Sequence, residues 1–406
     1  MNSTKFSSSS RPTMTPIDVP LARKLTPGCA HVLHFNNAGA SLMPDPVIAA
    51  VKDQLDLEAR TGGYEAAFAM HERIEGVYTS VAQLLHCTKE EVSFAESATR
   101  AWDMALLALR LGPGDRVLTG HAEYGGNWLA MLKLQRATGC TVEVVPDDAK
   151  GQIDVAALKG MLDERVRLVA ITHVPSSGGL VNPIEAVGAA VRGSNAIYLL
   201  DACQSVGQLP LDVDRIGCDL LSATGRKYLR GPRGTGFLYV RRSLLDKLEP
   251  PFMDAYSAQW TDMRTFQWRP DARRFEGFES SVANKLGLGA AVEHALGWGL
   301  DAIAARNAVL ADRLRQRLDQ VPGVKVRDQG EQRSAIVTFT VEVPSLENLK
   351  LALHERRMNV SLVSLELARL DLEPRGITGM VRASVHYYNT EEEVDRFVGA
   401  IAEFVR

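Results

Sequence analysis

Short apolar segments alternate with amphipathic stretches over roughly the first 250 residues of the chain. The apolar segments end at turn residues and are, in chain order, Arg116–Gly120, Thr141–Pro146, Val166–Val174, Ala196–Leu200 and Gly236–Val240. Between them, stretches such as Thr99–Leu111 and Pro183–Val191 have the spacing of helices. Nearly continuous apolar strands that alternate with helices are typical of a mostly parallel sheet covered on both faces. The pattern therefore predicts an α/β fold, whose ligands bind beyond the carboxyl ends of the strands.

The pattern changes after Arg274. A helix-rich stretch, Val282–Leu318, is followed by a strand pattern at 334–343 and a helix over Leu346–Glu355. A second strand pattern at 380–388 precedes the last helix, which begins with the capping-box sequence Thr-Glu-Glu-Glu at residues 390–393. This part of the chain predicts a smaller α+β domain.

These patterns divide the chain into three predicted segments. Residues 1–16 are rich in Ser, Thr and Pro and predict a disordered tail, with no apolar region typical of a signal peptide. Residues 17–275 predict a large domain, whose N-terminal segment partly joins the smaller one. Residues 276–406 predict the small C-terminal domain with a long linking helix. No segment approaches the ~18 continuous apolar residues of a membrane span.

Composition and charge exclude several classes of function. The 406 residues include 46 Lys and Arg against 49 Asp and Glu, a formal net charge of -3. This charge does not indicate binding to nucleic acid or to an acidic membrane. The five cysteines form no CxxC pair, and no zinc-ligand spacing occurs. We therefore expect a cytoplasmic protein with neither a disulfide framework nor a metal site.

Two residues of opposite charge follow successive strand patterns. Asp201 ends the apolar run IYLL and opens DACQS, and in isolation it is typical of a helix N-cap. An acid at the end of a buried strand is costly unless a cation pairs with it. Lys227 lies in SATGRKYLRGPRGTGF, which is not a phosphate-binding Walker loop because Tyr228 follows the lysine. Such an acid can pair with a protonated pyridine nitrogen and such a lysine can bond to an aldehyde, as in pyridoxal phosphate chemistry.

On these motifs the chain resembles the class V aminotransferase family of pyridoxal phosphate enzymes. This fold type I group includes cysteine desulfurases, isopenicillin-N-epimerase-like proteins and C–S lyases. The matching segments run in order from FNNAGAS (35–41) to RASVHYYNTEEEV (382–394) and cover nearly the whole chain. The resemblance implies a mostly parallel seven-stranded sheet, pyridoxal 5′-phosphate as cofactor, and a homodimer with active sites near the interface.

The resemblance also implies roles for residues around the cofactor. Lys227 would hold the cofactor covalently and act as general base. Asp201 would pair with the pyridine nitrogen, and Gln204 would hydrogen-bond the phenolate oxygen. Thr224 and Arg226 would bind the phosphate.

Three further segments supply cofactor contacts by the same resemblance. In FAESATRA (94–101) the backbone N–H groups of Ala98 and Thr99, at the start of a helix, would face the phosphate. In HAEYGGNWLA (121–130) Tyr124 would stack on the cofactor ring. In HVPSSGGLVNP (173–183) Ser176 and His173 would lie near the cofactor, with Tyr124 or His173 as a second base if the enzyme is an epimerase.

Substrate contacts follow from other matches. Arg382 corresponds to the arginine that clamps the substrate carboxylate, for which its planar fork is suited. Ala38 and Gly39, in FNNAGAS, are expected at the substrate. Glu65 and Asp254 are candidates for binding a cationic group of the substrate.

Two departures from the family pattern bear on the reaction. The stretch 359–376, where desulfurases carry a nucleophilic cysteine, contains none, which disfavours sulfur transfer. At Phe278–Glu279 many relatives have a Gly-Thr pair that reaches the phosphate of the neighbouring subunit. The string TGRKYLRGPRG is similar to that of ergothioneine-pathway C–S lyases.

The sequence therefore predicts a pyridoxal phosphate-dependent C–S β-lyase. It would convert an S-substituted cysteine, or its sulfoxide, to a thiol or sulfenate, pyruvate and ammonia. The alternatives are an amino-acid epimerase and an aminotransferase or desulfurase-like enzyme. A catalytically idle binding protein is an alternative from another class, disfavoured because Lys227, Asp201 and Arg382 are all retained.

Overall fold

A computed structural model describes residues 15–406, so nearly all of the predicted tail at 1–16 lies outside the described residues. In the described part the strands are β1 (Leu33–His34), β2 (Val92–Ala95), β3 (Arg116–Thr119), β4 (Thr141–Val144), β5 (Val166–Thr172), β6 (Ile197–Asp201), β7 (Leu220–Thr224), β8 (Gly236–Val240), β9 (Ala258–Asp262), β10 (Thr265–Trp268), β11 (Val324–Val326), β12 (Ile336–Val341), β13 (Met358–Asn359), β14 (Ser361–Ser364) and β15 (Gly379–Ser384). The α-helices are α1 (Val19–Lys24), α2 (Asp45–Thr61), α3 (Gly63–Ala69), α4 (His71–Leu85), α5 (Ala98–Leu107), α6 (Gly125–Thr138), α7 (Val155–Met161), α8 (Ile184–Val191), α9 (Val213–Ile216), α10 (Val282–Trp298), α11 (Leu300–Leu318), α12 (Leu346–Glu355), α13 (Arg369–Leu372) and α14 (Glu391–Val405).

The larger sheet has seven strands in the order β2-β8-β7-β6-β5-β3-β4. Strand β8 runs antiparallel to its neighbours β2 and β7, and the other neighbouring pairs are parallel. Strands β7 and β8 are buried at every position and β5 at all but one, because helices cover both faces of the sheet. The predicted α/β fold with a mostly parallel seven-stranded sheet is confirmed.

Helix boundaries predicted from local sequence signals are present in the structure. The helix predicted over Leu346–Glu355 has those bounds in the structure. At the start of α14, Thr390 Oγ1 accepts from Glu393 N at 3.1 Å and Glu393 Oε2 accepts from Thr390 N at 3.2 Å, which is the predicted capping box. The helix-rich stretch 282–318 is divided by Gly299, whose φ of 83° is disfavoured for residues with a Cβ.

The C-terminal part contains a four-stranded antiparallel sheet in the order β11-β12-β15-β14. The N-terminal segment contacts this sheet, since Asn36 forms a parallel bridge with Ser384 of β15 and Ala38 N donates to Ser384 Oγ at 2.9 Å. Strand β1 pairs in parallel with β13 in a separate two-stranded sheet. Asn37 Nδ2 also donates to Ser384 O at 2.8 Å. This pairing agrees with an N-terminal segment that belongs partly with the C-terminal part, and the domain boundaries themselves stay a prediction.

Residues 15–406 lack two kinds of feature. None of the helices there has both the length and the apolar composition needed to cross a membrane. Nor does that part of the chain bring three or more His, Cys, Asp or Glu side chains together in a way that would hold a metal ion.

Gly236, the first residue of β8, allows helix α5 to begin in direct contact with the sheet. A Cβ at this position would lie 2.6 Å from Ala223 O, 2.8 Å from Ser97 C and 2.9 Å from Ala98 N. All three are backbone atoms, which cannot turn aside as a flexible side chain would. The absence of a side chain at Gly236 therefore allows the start of α5 to lie next to the end of β7 and the start of β8.

We predict that Gly236→Ala lowers the free energy of unfolding by about 1–3 kcal/mol, the usual cost of inserting a methyl group into a packed site. Urea unfolding measures the difference. Gly160→Ala is the matched control, because a Cβ there, on α7, meets no atom within 4 Å. The control is expected to be neutral or to gain up to about 1 kcal/mol. Equal effects of the two substitutions would contradict the close approach at Gly236.

Candidate active site

The carboxyl ends of β5, β6 and β7 border a cavity of about 230 Å³. This is the edge of the sheet at which ligands of α/β proteins bind. The structure brings most of the predicted site residues to this cavity, namely Ala38, Gly39, Ala98, Thr99, Tyr124, Ser176, Asp201, Gln204, Thr224, Arg226, Lys227 and Arg382.

Three predicted residues do not line this cavity, and one of them, Asp254, lines two other cavities. Glu65 is exposed on α3, away from the cavity of its own chain. Thr172 and Val174, the neighbours of His173 in the chain, line the cavity, whereas His173 lines a different one. The structure corrects the prediction that His173 lies at the cofactor, and burial lowers its pKa to about 3.

Lys227 lies in a turn after β7 that Arg230 N closes by donating to Lys227 O at 2.9 Å. The lysine side chain is 8% exposed. Burial lowers the pKa of Lys227, and Arg226 and Arg382 act in the same direction, against the opposing effects of Cys203 and Asp201. A lowered pKa increases the share of neutral amine, the form that attacks an aldehyde.

Asp201 is the last residue of β6 and is 4% exposed. Its Oδ1 accepts from Cys203 N and its Oδ2 from Asn127 Nδ2, both at 2.8 Å. Both donors are neutral groups that fix the plane of the carboxylate. The negative charge is therefore available to a cation in the cavity.

The N-terminal end of α5 faces the cavity. Ser97 is its N-cap, and Ser97 Oγ accepts from Arg100 N at 3.1 Å. The first N–H groups of a helix have no acceptor within the helix, so those of Ala98 and Thr99 are oriented to bind an anion. The structure places the start of a helix here, and the role of these N–H groups at a phosphate stays a prediction.

Arg226 and Thr224 add side chains to the same cavity. The Arg226 guanidinium donates to Gly39 O, which holds this cation at the cavity wall. Thr224 Oγ1 donates to Thr235 O at 3.2 Å and must rotate to donate to a phosphate instead. A cation beside a helix N-terminus suits a phosphate dianion.

Two buried atoms of the cavity residues, Gln204 Oε1 and Arg382 Nε, have no partner within the described chain. Gln204 Nε2 donates to Ala38 O at 3.0 Å, and Arg382 Nη1 donates to Ser176 O at 2.8 Å. Burial lowers the pKa of Arg382 to about 10, which leaves it a cation at neutral pH. Buried polar atoms normally have partners, so both atoms indicate a polar ligand at this place.

Sequence reasoning missed Cys203, which lines the cavity two residues after Asp201. The family pattern indicates a thiol only in the stretch 359–376, far from Cys203 in sequence. Burial raises the pKa of Cys203 well above that of a free cysteine, and the Asp201 carboxylate adds to the effect. The thiol is therefore protonated at neutral pH and is a weak nucleophile.

A buried carboxyl behind the cavity was also missed. Glu123 is 4% exposed, and its Oε1 accepts from Asn127 Nδ2 at 2.9 Å. Burial raises the pKa of Glu123 to about 7, and the Asp201 charge acts in the same direction. The i, i+4 spacing of Glu123 and Asn127 at the start of α6 is the signal that sequence reasoning could have used.

These residues fit pyridoxal 5′-phosphate. Lys227 has an amine that can react with the aldehyde, and Asp201 has a carboxylate that can pair with the pyridine nitrogen. Arg226 and the start of α5 can together bind the phosphate. The unpartnered Nε of Arg382 suits a substrate carboxylate. The fold and the site define a pyridoxal phosphate-dependent enzyme of fold type I.

The chain belongs to the aminotransferase class-V family, whose model matches residues 33–397. A probable cysteine desulfurase of Pyrococcus abyssi is 28% identical over 393 residues, which cover 95% of this chain and 97% of that protein. The apo structure of a cysteine desulfurase from Thermococcus onnurineus NA1 superposes with a TM-score of 0.90 and 26% identity, over 97% of this chain and 99% of the other. The cystine C–S lyase C-DES, solved with cysteine persulfide, shares the fold, with a TM-score of 0.85 and 24% identity over 94% of this chain and 100% of that one. The predicted family is confirmed.

We predict that Glu123 makes the stability of the cofactor-free protein depend on pH. Folded Glu123 keeps its proton up to a pKa of about 7, whereas an unfolded glutamate loses it near about 4.3. The folded state thus binds more protons between these values, so its free energy of unfolding falls as the pH rises through this window.

Glu123→Gln carries no such proton. Relative to the wild type, this variant is expected to gain about 1–3 kcal/mol between about pH 5 and about pH 8. Urea unfolding at the two pH values gives the difference. The exposed Glu355→Gln is the control and should differ from the wild type equally at both. A Glu123→Gln difference that does not change with pH would contradict the buried, proton-binding carboxyl.

Proposed function

We propose that this enzyme is a C–S β-lyase that cleaves an S-substituted cysteine or its sulfoxide. The protein is a pyridoxal phosphate enzyme of a family whose relatives are named for cysteine chemistry, which supports a cysteine-like substrate. The observation that carries the choice of elimination is the state of the thiols. Cys203 lines the cavity but is held protonated, and the stretch 359–376 has no cysteine. Transfer of sulfur to the protein needs a thiolate.

Different residues of the chain have different roles in this reaction. The cofactor, when bound, supplies an electron sink for the charge that develops at Cα. Arg382 binds the substrate carboxylate and thereby orients the Cα–H bond. Lys227, which is within the same cavity and has a lowered pKa, takes the proton from Cα, and Asp201 holds a proton at the pyridine nitrogen.

Loss of this proton supplies the electron pair that breaks the Cβ–S bond. The sulfur departs with that bond's electrons as a thiolate or sulfenate, and the remaining three-carbon enamine reacts with water to give pyruvate and ammonia. The C-terminal part contributes an apolar wall to the cavity, formed by Leu362, Val363, Leu367 and Ala368. An uncharged S-substituent would be well accommodated against this wall.

We also propose that the enzyme is a homodimer with active sites near the interface. Several large apolar side chains are exposed in the single chain, among them Tyr64 at 74%, Phe68 at 85%, Trp260 at 78% and Phe278 at 60%. The rings of Tyr64 and Phe278 are in contact, with centroids 6.5 Å apart. Exposed apolar clusters of this kind are typical of interaction surfaces. Glu65 follows Tyr64 on α3, so in such a dimer it would lie at the interface.

We predict that Lys227 is the residue to which the cofactor is bound. Borohydride reduction of the wild type should fix pyridoxal phosphate covalently to the peptide containing Lys227, as measured by mass spectrometry. Lys227→Ala should lose the covalent label and the absorbance band near the visible edge. The exposed Lys247→Ala is the control and should keep both. A wild-type protein without the band would refute the proposed site.

We predict that the wild type converts S-substituted cysteines to pyruvate. The assay measures pyruvate and ammonia in equal amounts together with the released thiol. Lys227→Ala is expected to lose at least about 10²-fold in rate, the usual contribution of a positioned general base. Exchange of the Cα hydrogen with deuterium but no pyruvate would overturn the lyase proposal. In that case loss of optical rotation would indicate epimerisation, and a keto acid that retains the S-substituent would indicate transamination.

A further inference from the structure

A continuous set of hydrogen bonds leads from the cavity to a carboxyl that does not line it. Asn127 Nδ2 donates to Asp201 Oδ2 at 2.8 Å and to Glu123 Oε1 at 2.9 Å. An amide NH₂ group has two hydrogens, so one asparagine can join two carboxyls at the same time. Asn127 is 2% exposed and Glu123 4%, which leaves little access for water to replace these bonds.

Glu123 also joins the ends of two strands to the start of a helix. Its Oε1 accepts from Tyr124 N at 2.8 Å and from Thr172 Oγ1 at 2.5 Å. Its Oε2 accepts from Thr119 Oγ1 at 3.0 Å. Thr119 ends β3, Thr172 ends β5 and Tyr124 precedes α6, so one carboxyl fixes these three elements relative to one another.

We propose that Glu123 is a positioning residue for the cofactor, and that it fixes Asn127 and through it the carboxylate of Asp201. The proposal rests on the proposed function of Asp201 as the partner of the pyridine nitrogen. Without Glu123, one hydrogen of the Asn127 amide loses its partner and the amide is free to turn. The Asp201 carboxylate then loses the donor that holds its Oδ2 in place.

The role requires the hydrogen bonds of Glu123 rather than its charge. Three of the four donors meet at Oε1, whereas Oε2 meets only the Thr119 hydroxyl, which can accept as well as donate. A glutamine whose NH₂ group faces Thr119 satisfies the same set of partners. Burial raises the pKa of Glu123 to about 7, so the neutral carboxyl is already accessible near neutral pH. Glutamine is therefore the conservative replacement and alanine the disruptive one.

The test measures the Kd for pyridoxal phosphate by titrating cofactor into the cofactor-free protein and following the absorbance band. Glu123→Ala is expected to raise the Kd about tenfold or more, in the range for a lost hydrogen bond that involves a charged group. Glu123→Gln should stay within about threefold of the wild type. Thr338→Val is the control, because it removes a partly buried bond to a carboxylate, Asp328, outside the cavity. The control is expected to lower the melting temperature without changing the Kd.

A double mutant tests whether Glu123 acts through Asn127. Asn127→Ala should raise the Kd as Glu123→Ala does, and the double mutant should be little worse than Asn127→Ala alone, since residues that act in series are not additive. If Glu123→Ala does not fold, Glu123→Leu replaces it, because leucine fills more of the space and accepts no hydrogen bond, whereas Asn127→Ala tests only the bond to Asp201. A wild-type Kd in Glu123→Ala, or in Asn127→Ala, would overturn the proposal. The proposal would also be overturned if Glu123→Gln had a Kd as high as that of Glu123→Ala. Fully additive effects of Glu123→Ala and Asn127→Ala in the double mutant would overturn it as well.

Asp201→Ala separates failure of this proposal from failure of the proposed function. If Asp201→Ala weakens cofactor binding and the variants at Glu123 and Asn127 do not, only the positioning role is lost. If Asp201→Ala binds the cofactor as the wild type does, the proposed role of Asp201 is itself wrong, and the positioning proposal falls with it.

Discussion

The site is organised around negative charge buried at the carboxyl edge of the sheet. Asp201 and Glu123 are each 4% exposed, and an amide rather than a cation stands between them. Such an arrangement is costly unless donors surround the carboxyls and a cation approaches from the cavity. Asn127, Cys203 N and the two threonine hydroxyls supply the donors, and the protonated nitrogen of a pyridine ring would supply the cation. The positive groups Arg226 and Arg382 lie at the same cavity, where the anionic ends of the cofactor and the substrate would pair with them.

The position of these groups depends on close backbone contacts as much as on charge. The missing side chain of Gly236 lets the first N–H groups of α5 face the cavity. Gly126 acts in a similar way at the start of α6, because a Cβ there would lie 2.6 Å from the ring of Tyr124. The sheet thus provides a rigid edge. The two glycines determine how closely the helix starts and the ring of Tyr124 approach that edge.

Much of the fold could be predicted from the sequence, because its strands are short apolar runs and its helices have clear signals such as the capping box at Thr390. Asp201 and Lys227 could be selected from the sequence because they follow strands that meet at one edge, whereas the other candidate cofactor residues came from the resemblance to the class V family. The cavity that His173 lines could not be predicted, because position in a motif does not say to which cavity a side chain points. Glu123 and Cys203 were missed because their significance lies in burial, and for Glu123 also in the link through Asn127 to Asp201, 74 positions further along the chain.

The pairing of the N-terminal segment with the C-terminal sheet has a consequence for how the protein is made. Ala38 N and Ser384 Oγ are 346 positions apart in sequence, yet they are hydrogen-bonded at one wall of the cavity. Contacts of such separation form slowly, because a long loop must close before they contribute. During synthesis on the ribosome the large sheet can form before β15, which carries Arg382, has been made. The segment around Ala38 then has no partner strand yet. The cofactor cavity is therefore completed only when nearly the whole chain has been synthesised, so an incomplete product carries the lysine but not the wall that encloses it.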